Sequence, residues 1–346
     1  MIQGFARLNP SWQQTMLRIR DPKISISYYE SNFGMVLINR YHFEPTQGDF
    51  SVYFLASVPE KEKKSLPVAG TPEAHKFLWG TSRKGFCTLE LTHNHGTELS
   101  ADLPLKDYAG RSQLYHDGNS TPRGFGHIAF NVDDVYGACA KLEANGVAMK
   151  KRPDEGNMKG LGFVLDPDGY WVEIVQGAQK CDPGKFNLSQ TMLRIKDAEK
   201  SVAFYRNIFN LTLVRESHFE EWGFGLYFLA TPSTCANSLI ESGASVSSQS
   251  WDPCLELTWN YGTEKEQGNV YHNGNDSVFD GEPAPRGFGH IGFLVDNLDE
   301  FCGLLEQAEV EFIKKPNEGT MRNIAFVKDP TGYWIEVIQR DLPPFF

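Results

Sequence analysis

The sequence predicts an α+β protein built from four βαβββ modules, two in each half of the chain. The first observation behind this prediction is an internal repeat, since QTMLRIRDP at Gln14 returns as QTMLRIKDA at Gln190 and PRGFGHI occurs twice. The second is that each half contains two stretches with apolar residues at helical spacing, each followed by short runs typical of strands. Because a duplicated chain folds as related units, both halves are expected to share one architecture.

Two further motif pairs extend the repeat over most of each half. TLELTHNHGTE matches CLELTWNYGTE, and DPDGYWVEIVQ matches DPTGYWIEVIQ. The spacing between partners shrinks along the chain, which places the length differences in 58–79 and 231–251. We expect both segments to be surface loops, because the first is charged and contains Pro and the second is rich in Ser. The chain is accordingly divided into a first repeat at 10–178, a linker at 179–185 and a second repeat at 186–342.

The helices and the final turn of each half have recognisable signals. Asp21 and Asp197 precede apolar residues at helical spacing, so each is expected to cap the first helix of its half. A second helix is expected at about 134–145 and about 297–308, after the GFGHI strands. Asp-Pro-Asp-Gly and Asp-Pro-Thr-Gly are typical of tight turns, so each half is predicted to end in a hairpin.

Composition and charge restrict the classes of function. The net charge of −11 and the lack of Lys and Arg clusters argue against a nucleic-acid partner. The sequence has neither an apolar stretch near the roughly 20 residues of a membrane span nor an N-terminal secretion pattern. We therefore expect a cytoplasmic protein with no membrane partner. The six cysteines lack CxxC spacing and are expected to be reduced packing residues.

Polar side chains gather on one face of strands that are otherwise apolar. Successive strand residues alternate faces, so Gln14 and Arg18 share one side of the first strand, opposite its apolar residues. By the same alternation Glu90 and Asn94 share one face of the LELTHN strand. Arg194 and Asn260 repeat this placement in the second half. The guanidinium on such a face could bind a carboxylate through two hydrogen bonds.

The last strand of each half carries a carboxylate that requires a partner. Glu173 stands in the apolar run YWVEIV and Glu336 in the matching YWIEVI. A buried carboxylate is costly unless a cation or several donors hold it, and a metal ion is the simplest partner. One Gln, two Glu and one His offer three oxygens and one nitrogen, which suit Zn²⁺ or a similar divalent ion. The candidate ligands are Gln14, Glu90, His127 and Glu173 in the first half, and Gln190, Glu256, His290 and Glu336 in the second.

Together these motifs resemble eukaryotic glyoxalase I over 14–176 and again over 190–339. QTMLR, LELTHN, PRGFGH, a KKP or KRP tripeptide and DPxGYWxE carry the resemblance, and the duplication is similar to the two-domain, single-chain glyoxalases of fungi. The resemblance implies the vicinal oxygen chelate fold, in which modules pair into open, mostly antiparallel, barrel-like sheets with helices outside. It also implies a monomer whose first module pairs with the fourth and whose second pairs with the third.

The resemblance further implies how the residues are shared between two sites. Site A would bind metal through Gln14, Glu90, His290 and Glu336, and site B through His127, Glu173, Gln190 and Glu256. Glutathione would contact Arg18, Asn94, Arg286, Lys314 and Met321 in site A, and Arg194, Asn260, Arg123, Lys151 and Met158 in site B. The local departures are His95, where the family commonly has Trp, and Arg152, where it commonly has Lys.

The implied activity is isomerisation of the hemithioacetal of methylglyoxal and glutathione to S-D-lactoylglutathione through an enediolate. Glu336 and Glu173 would transfer the proton. We expect two Zn²⁺ ions per chain, with Ni²⁺, Co²⁺ or Mn²⁺ as alternatives, and glutathione as co-substrate. Two other functions stay open. One is an iron-dependent extradiol dioxygenase, whose sites use two His and one carboxylate. The other is a non-catalytic protein that sequesters a small ligand.

Overall fold

The predicted α+β architecture of four βαβββ modules is confirmed by the computed structural model, which describes residues 4–80, 87–177, 185–231, 253–319 and 321–344. Module 1 comprises β1 (Ser11–Ile19), α1 (Pro22–Phe33), β2 (Val36–Phe43), β3 (Phe50–Ala56), α2 (Glu60–Lys63), α3 (Pro72–Trp79) and β4 (Thr88–Asn94). After the short strands β5 (Leu105–Lys106) and β6 (Ser112–Gln113), module 2 comprises β7 (Phe125–Val132), α4 (Val135–Ala144), β8 (Met149–Lys151), β9 (Leu161–Leu165) and β10 (Trp171–Gln176).

The second half repeats this order. Module 3 comprises β11 (Asn187–Ile195), α5 (Ala198–Asn207), β12 (Thr212–Phe219), β13 (Phe224–Ala230) and β14 (Cys254–Asn260). The short strands β15 (Val278–Phe279) and β16 (Glu282–Pro283) follow. Module 4 comprises β17 (Phe288–Val295), α6 (Leu298–Gln307), β18 (Phe312–Lys314), β19 (Ile324–Lys328) and β20 (Trp334–Gln339).

The modules combine into two eight-stranded sheets, and each sheet takes one module from each half. The strand order is β18-β19-β20-β17-β1-β4-β3-β2 in the first sheet and β12-β13-β14-β11-β7-β10-β9-β8 in the second. The antiparallel pairs β1–β17 and β11–β7 join the halves, whereas β4 and β20 run parallel to their neighbours β1 and β17. Module 1 therefore pairs with module 4, and module 2 with module 3, as the resemblance implied.

The helix predictions agree with the observed elements because the caps form as expected. The side chain of Asp21 accepts a hydrogen bond from the Lys23 amide and that of Asp197 from the Lys200 amide, at the starts of α1 and α5. Asp134 and Asn297 cap α4 and α6 in the same way. No helix in the described parts of the chain is both long and apolar enough to span a membrane.

A shared core holds the two sheets together. It contains the apolar side chains of β1 and β4 that face away from Gln14 and Glu90, and the matching side chains of β11 and β14. At the centre, the Thr15 and Thr191 hydroxyls lie 2.6 Å apart, and the Phe125 and Phe288 rings stack at 4.9 Å. The outward faces of the sheets, which carry the polar residues, are thereby left for the candidate sites.

The prediction of a surface loop at 58–79 is wrong, because this segment contains α2 and α3. Thr71 caps α3 through the Ala74 amide, and Pro72 occupies its first turn. The charged residues of α3 conceal an apolar face on which Leu78 and Trp79 are buried. The second predicted loop lies almost wholly within 232–252, and the linker largely within 178–184, both outside the described residues.

The described cysteines agree with a packing role. Cys87, Cys139, Cys254 and Cys302 are free thiols, and all four are buried. Cys181 and Cys235 lie outside the described residues.

Each final hairpin is tied to the first helix of its own half by a buried hydrogen bond. In the first half the Tyr29 hydroxyl donates to Asp166 at 2.9 Å, and in the second the Tyr205 hydroxyl donates to Asp329 at 2.9 Å. Both Asp side chains also accept backbone N–H groups within their turns. In each case the helix belongs to a module of one sheet and the hairpin to a module of the other, so both bonds link the two sheets.

We expect Tyr29→Phe and Tyr205→Phe each to lower the free energy of unfolding by about 1–3 kcal/mol, because each leaves a buried carboxylate short of one donor. Urea unfolding followed by circular dichroism measures the change. Tyr136→Phe is the control, since Tyr136 is 51% exposed on α4, and it should change stability by less than about 0.5 kcal/mol. Equal effects from all three variants would contradict the assigned role.

Candidate metal and substrate sites

Site A is built by four neighbouring strands of the first sheet. β1 lies between β4 and β17, and β20 lies beside β17, so Gln14, Glu90, His290 and Glu336 occupy adjacent strands. Met16 of β1 pairs with both Glu90 and His290, while Gln14 pairs with Gly292, which pairs in turn with Glu336. The residues that come together therefore derive from both halves of the chain.

The four side chains of site A converge in the interior. Gln14 Nε2 lies 2.5 Å from Glu90 Oε2 and 2.7 Å from Glu336 Oε2. His290 Nε2 lies 3.3 Å from Glu90 Oε2 and 3.1 Å from Glu336 Oε2. None of the four residues is more than 6% exposed. Two carboxylates, one imidazole and one carboxamide thus meet where water is largely excluded.

Site B repeats this geometry in the second sheet. Gln190 Nε2 lies 2.7 Å from Glu173 Oε2 and 2.9 Å from Glu256 Oε2. His127 Nε2 lies 3.3 Å from Glu173 Oε2 and 3.5 Å from Glu256 Oε2. The structure therefore brings together both sets of four candidate ligands, each set drawn from two modules.

The donor set fits a divalent cation. The ligand atoms of Glu90, His290 and Glu336 all lie within 4.8 Å of one another, and His127, Glu173 and Glu256 meet the same limit. Gln14 Oε1 is buried without a hydrogen-bond partner. Because rotating a carboxamide exchanges its oxygen and nitrogen, this oxygen can face the cluster as a further ligand. Two carboxylates would balance the charge of one dication.

Electrostatics in both clusters point the same way. Burial alone would lower the pKa of His290, but the carboxylates of Glu336 and Glu90 raise it to about 9. Burial also opposes the charged form of His127, but the carboxylates of Glu173 and Glu256 favour it and raise the pKa of His127 to about 9. Burial raises the pKa of Glu336 and of Glu256. Each cluster is therefore a concentrated negative site that favours a positive charge.

A cavity of about 230 Å³ opens from site A. It is lined by all four candidate ligands and by four of the five residues expected to contact glutathione, namely Arg18, Asn94, Arg286 and Met321. Lys314, the fifth, donates to the carbonyls of Met321 and Ile324 at 2.7 Å, so it holds the segment that carries Met321.

The matching residues of site B keep the same partners. Lys151 donates to the carbonyls of Met158 and Leu161 at 2.8 Å, and so holds the segment that carries Met158. The Asn260 amide donates to the Tyr271 hydroxyl at 2.7 Å. Burial lowers the pKa of Arg194 to about 10, and the positive charge of Arg123 makes a smaller contribution in the same direction.

Arg18 and Arg194 make contacts that the sequence did not indicate. Arg18 Nη1 donates to the carbonyls of Gly287 and Phe288, and its Nη2 donates to the Asn275 side chain at 2.7 Å. Arg194 repeats these contacts with Gly124, Phe125 and Asn119. Neither guanidinium is therefore arranged in this structure to offer both Nη atoms to a carboxylate. Each fixes the segment that carries Arg286 or Arg123.

Sequence reasoning missed the residues that position these groups. Besides Asn119 and Asn275, they include Tyr115, whose hydroxyl accepts from Asn94 at 3.1 Å, and its counterpart Tyr271. Their signal was available, because YHDGN in the first half matches YHNGN in the second. The aromatic wall of site A, formed by β2, β3 and Trp79, was also missed.

Comparisons with known proteins agree over both repeats. A family model described as the glyoxalase/bleomycin resistance protein/dioxygenase superfamily matches residues 12–174 and 187–337. The chain is 38% identical to a lactoylglutathione lyase of Schizosaccharomyces pombe, over an alignment that covers 94% of this chain and 95% of the yeast protein. It is also 38% identical to glyoxalase I of Saccharomyces cerevisiae, over 95% of this chain and 92% of that protein. The crystal structure of glyoxalase I of Zea mays has a similar fold, with a TM-score of 0.64 and 21% identity. The match covers 96% of this chain and 93% of the maize chain.

Removing one histidine should remove one metal ion. We expect His290→Ala and His127→Ala each to lower the bound divalent metal from two equivalents per chain to one, and the double variant to lower it to none, because each His serves a separate cluster. Elemental analysis by mass spectrometry after dialysis measures the content. His218→Ala is the control, since the exposed His218 of β12 lies outside both clusters. Unchanged stoichiometry in the single variants would exclude these assignments.

Proposed function

The chain belongs to the glyoxalase/bleomycin resistance protein/dioxygenase superfamily, and we propose that it isomerises the hemithioacetal of methylglyoxal and glutathione to S-D-lactoylglutathione at two sites. The observation that carries this proposal is the buried cluster of one Gln, two Glu and one His, present twice in a chain similar throughout to fungal lactoylglutathione lyases. This reaction makes the enzyme a carbon–sulfur lyase that removes methylglyoxal. Each cluster holds a single His, which does not suit the two-His site of an extradiol dioxygenase.

The reaction requires one group to remove a proton from the carbon bonded to sulfur and return it to the neighbouring carbon. We assign this transfer to Glu336 in site A and Glu173 in site B. Burial raises the pKa of Glu336, which makes its carboxylate a stronger base. Glu90 and Glu256 are the partner carboxylates, and Gln14 and Gln190 complete the two ligand sets. A bound divalent cation, which we expect to be Zn²⁺ with Ni²⁺, Co²⁺ or Mn²⁺ as alternatives, would act as a Lewis acid and stabilise the enediolate.

Glutathione carries two carboxylates, so a protein of net charge −11 needs local cations to bind it. In site A, Arg18 and Arg286 line the same cavity, and burial, with a smaller contribution from the charge of Arg286, lowers the pKa of Arg18. Because the Nη atoms of Arg18 already bind the protein, we assign the direct contact with a glutathione carboxylate to Arg286. Asn94 lines the same cavity and is assigned to the peptide part of glutathione. Arg123 and Asn260 take these roles in site B.

We further propose that the protein works as a monomer in the cytoplasm. Both ligand sets are complete within one chain, so no second copy is needed to supply a ligand. The four cysteines that the structure describes are free thiols, which supports a reducing compartment.

Replacing both proposed bases should abolish most of the turnover. We expect Glu173→Gln with Glu336→Gln to lower kcat by about 10²–10⁴-fold, because the isosteric amide cannot accept the proton. Each single variant should retain the activity of the other site. Thioester formation from methylglyoxal and glutathione, followed by absorbance, measures the rate. The control is Glu199→Gln on the exposed surface of α5. Wild-type turnover in the double variant would contradict the assigned mechanism.

A further inference from the structure

The two sites share their ligand geometry but differ in one wall. In site A this wall comes from β2 and β3, and in site B from β12 and β13. Across the first sheet, Glu90 pairs with Phe54, which pairs with Asn39, so these three side chains form one row on the same face. The equivalent row of the second sheet runs from Glu256 through Phe228 to Arg215. Arg215 therefore occupies, in the second sheet, the position that the neutral Asn39 occupies in the first sheet.

The equivalence of Asn39 and Arg215 follows from the local backbone. The register of β2 shifts between Leu37 and Asn39, and that of β12 shifts between Leu213 and Arg215. A bulge at the same place in both strands directs both side chains to the same face as the ring opposite them. Two residues further along, the same register places Tyr41 in site A opposite Val52, and Ser217 in site B opposite Leu226.

The wall of site A is aromatic and its polar atoms are used internally. The Tyr41 hydroxyl accepts hydrogen bonds from Trp79 Nε1 and from the Asn39 amide, both at 2.8 Å. It must then donate to His75 Nδ1 at 2.7 Å, since His75 Nε2 donates to the carbonyl of Leu342 at 2.6 Å. Phe54 and Trp79 meet edge to face at 5.3 Å. The cavity is consequently bounded on this side by aromatic and aliphatic surface.

The wall of site B carries a positive charge on its edge strand β12. The Arg215 guanidinium lies over the Phe228 ring, 5.4 Å from its centroid, and its Nε donates to the Ser217 hydroxyl at 3.2 Å. The row connects Arg215 to the candidate ligand Glu256 through Phe228, so this wall adjoins the centre where we place the reaction.

We propose that Arg215 makes site B selective for 2-oxoaldehydes whose side chain carries an acidic group, whereas site A selects aromatic or large apolar side chains. This inference rests on the proposed function. A carboxylate near a guanidinium gains attraction, and the same carboxylate against the aromatic wall of site A loses hydration without a partner. A neutral phenyl ring gains from burial on that aromatic wall.

Single-site enzymes allow the two preferences to be measured separately. Glu336→Gln leaves site B active and Glu173→Gln leaves site A active. Phenylglyoxal and 4-carboxyphenylglyoxal, each with glutathione, form a substrate pair that differs by one carboxylate. We expect the ratio of kcat/KM for the carboxylated over the neutral substrate to be about tenfold higher in the site B enzyme, as for one favourable charge pair.

Variants of Arg215 identify the residue responsible. In the site B enzyme, Arg215→Asn should lower the ratio to that of the site A enzyme, while Arg215→Lys should retain part of the preference because it keeps the charge. Arg206→Asn, on the exposed surface of α5, is the matched control and should leave the ratio unchanged. Equal ratios in the two single-site enzymes, or a ratio insensitive to Arg215→Asn, would overturn the proposal.

The same design separates this proposal from the proposed function. Absence of methylglyoxal turnover in both single-site enzymes and in the wild type would contradict the function. Binding can still decide the specificity, because S-benzylglutathione and S-(4-carboxybenzyl)glutathione can be compared calorimetrically without turnover. Preference for the carboxylated ligand at site B that disappears in Arg215→Asn supports the proposal, and equal binding at both sites overturns it.

Discussion

The antiparallel pairing of β1 with β17, and of β11 with β7, is the contact on which both sites depend. Each pair joins the two halves of the chain and places a Gln and a Glu of one half beside a His and a Glu of the other. Because side chains alternate along a strand, a slip of one residue in either pair would turn the ligands toward the core. The apolar residues on the opposite face of these strands, such as Leu17 and Leu193, oppose this slip because they are fully buried in the shared core.

This arrangement separates two conflicting requirements. Stability needs a continuous apolar core, whereas the sites need carboxylates and imidazoles in the interior, where charge is costly. The sheets resolve the conflict by packing back to back, with the core between them and the polar clusters on the outward faces. Within each cluster the remaining cost is reduced by mutual hydrogen bonds and by the charged form of His290 or His127. A bound dication would reduce this cost further.

Much of the fold and most of the candidate ligand geometry could be predicted because they depend on local patterns. Strand alternation identified the faces of Gln14 and Glu90, the capping residues located the helices, and the internal repeat defined the modules. Contacts between distant segments could not be predicted in this way. Arg18 carries a guanidinium suited to binding an anion, yet the carbonyls that it contacts lie 269 and 270 residues away in sequence. The helix α3 was missed because its charged residues obscured the apolar face that covers site A.

The position of each residue within a sheet explains why the two sites can differ. The ligands lie on the central strands, where each half of the chain serves both sites, so a change in the joining strands affects the packing of both halves. The strands β2 and β12 are at the sheet edges, and each contributes to one site only. Asn39 on β2 and Arg215 on β12 occupy equivalent positions, so the walls of the two sites differ there while the ligand positions stay the same. Duplication of the module thus keeps the reacting groups the same while leaving the edge strands free to diverge.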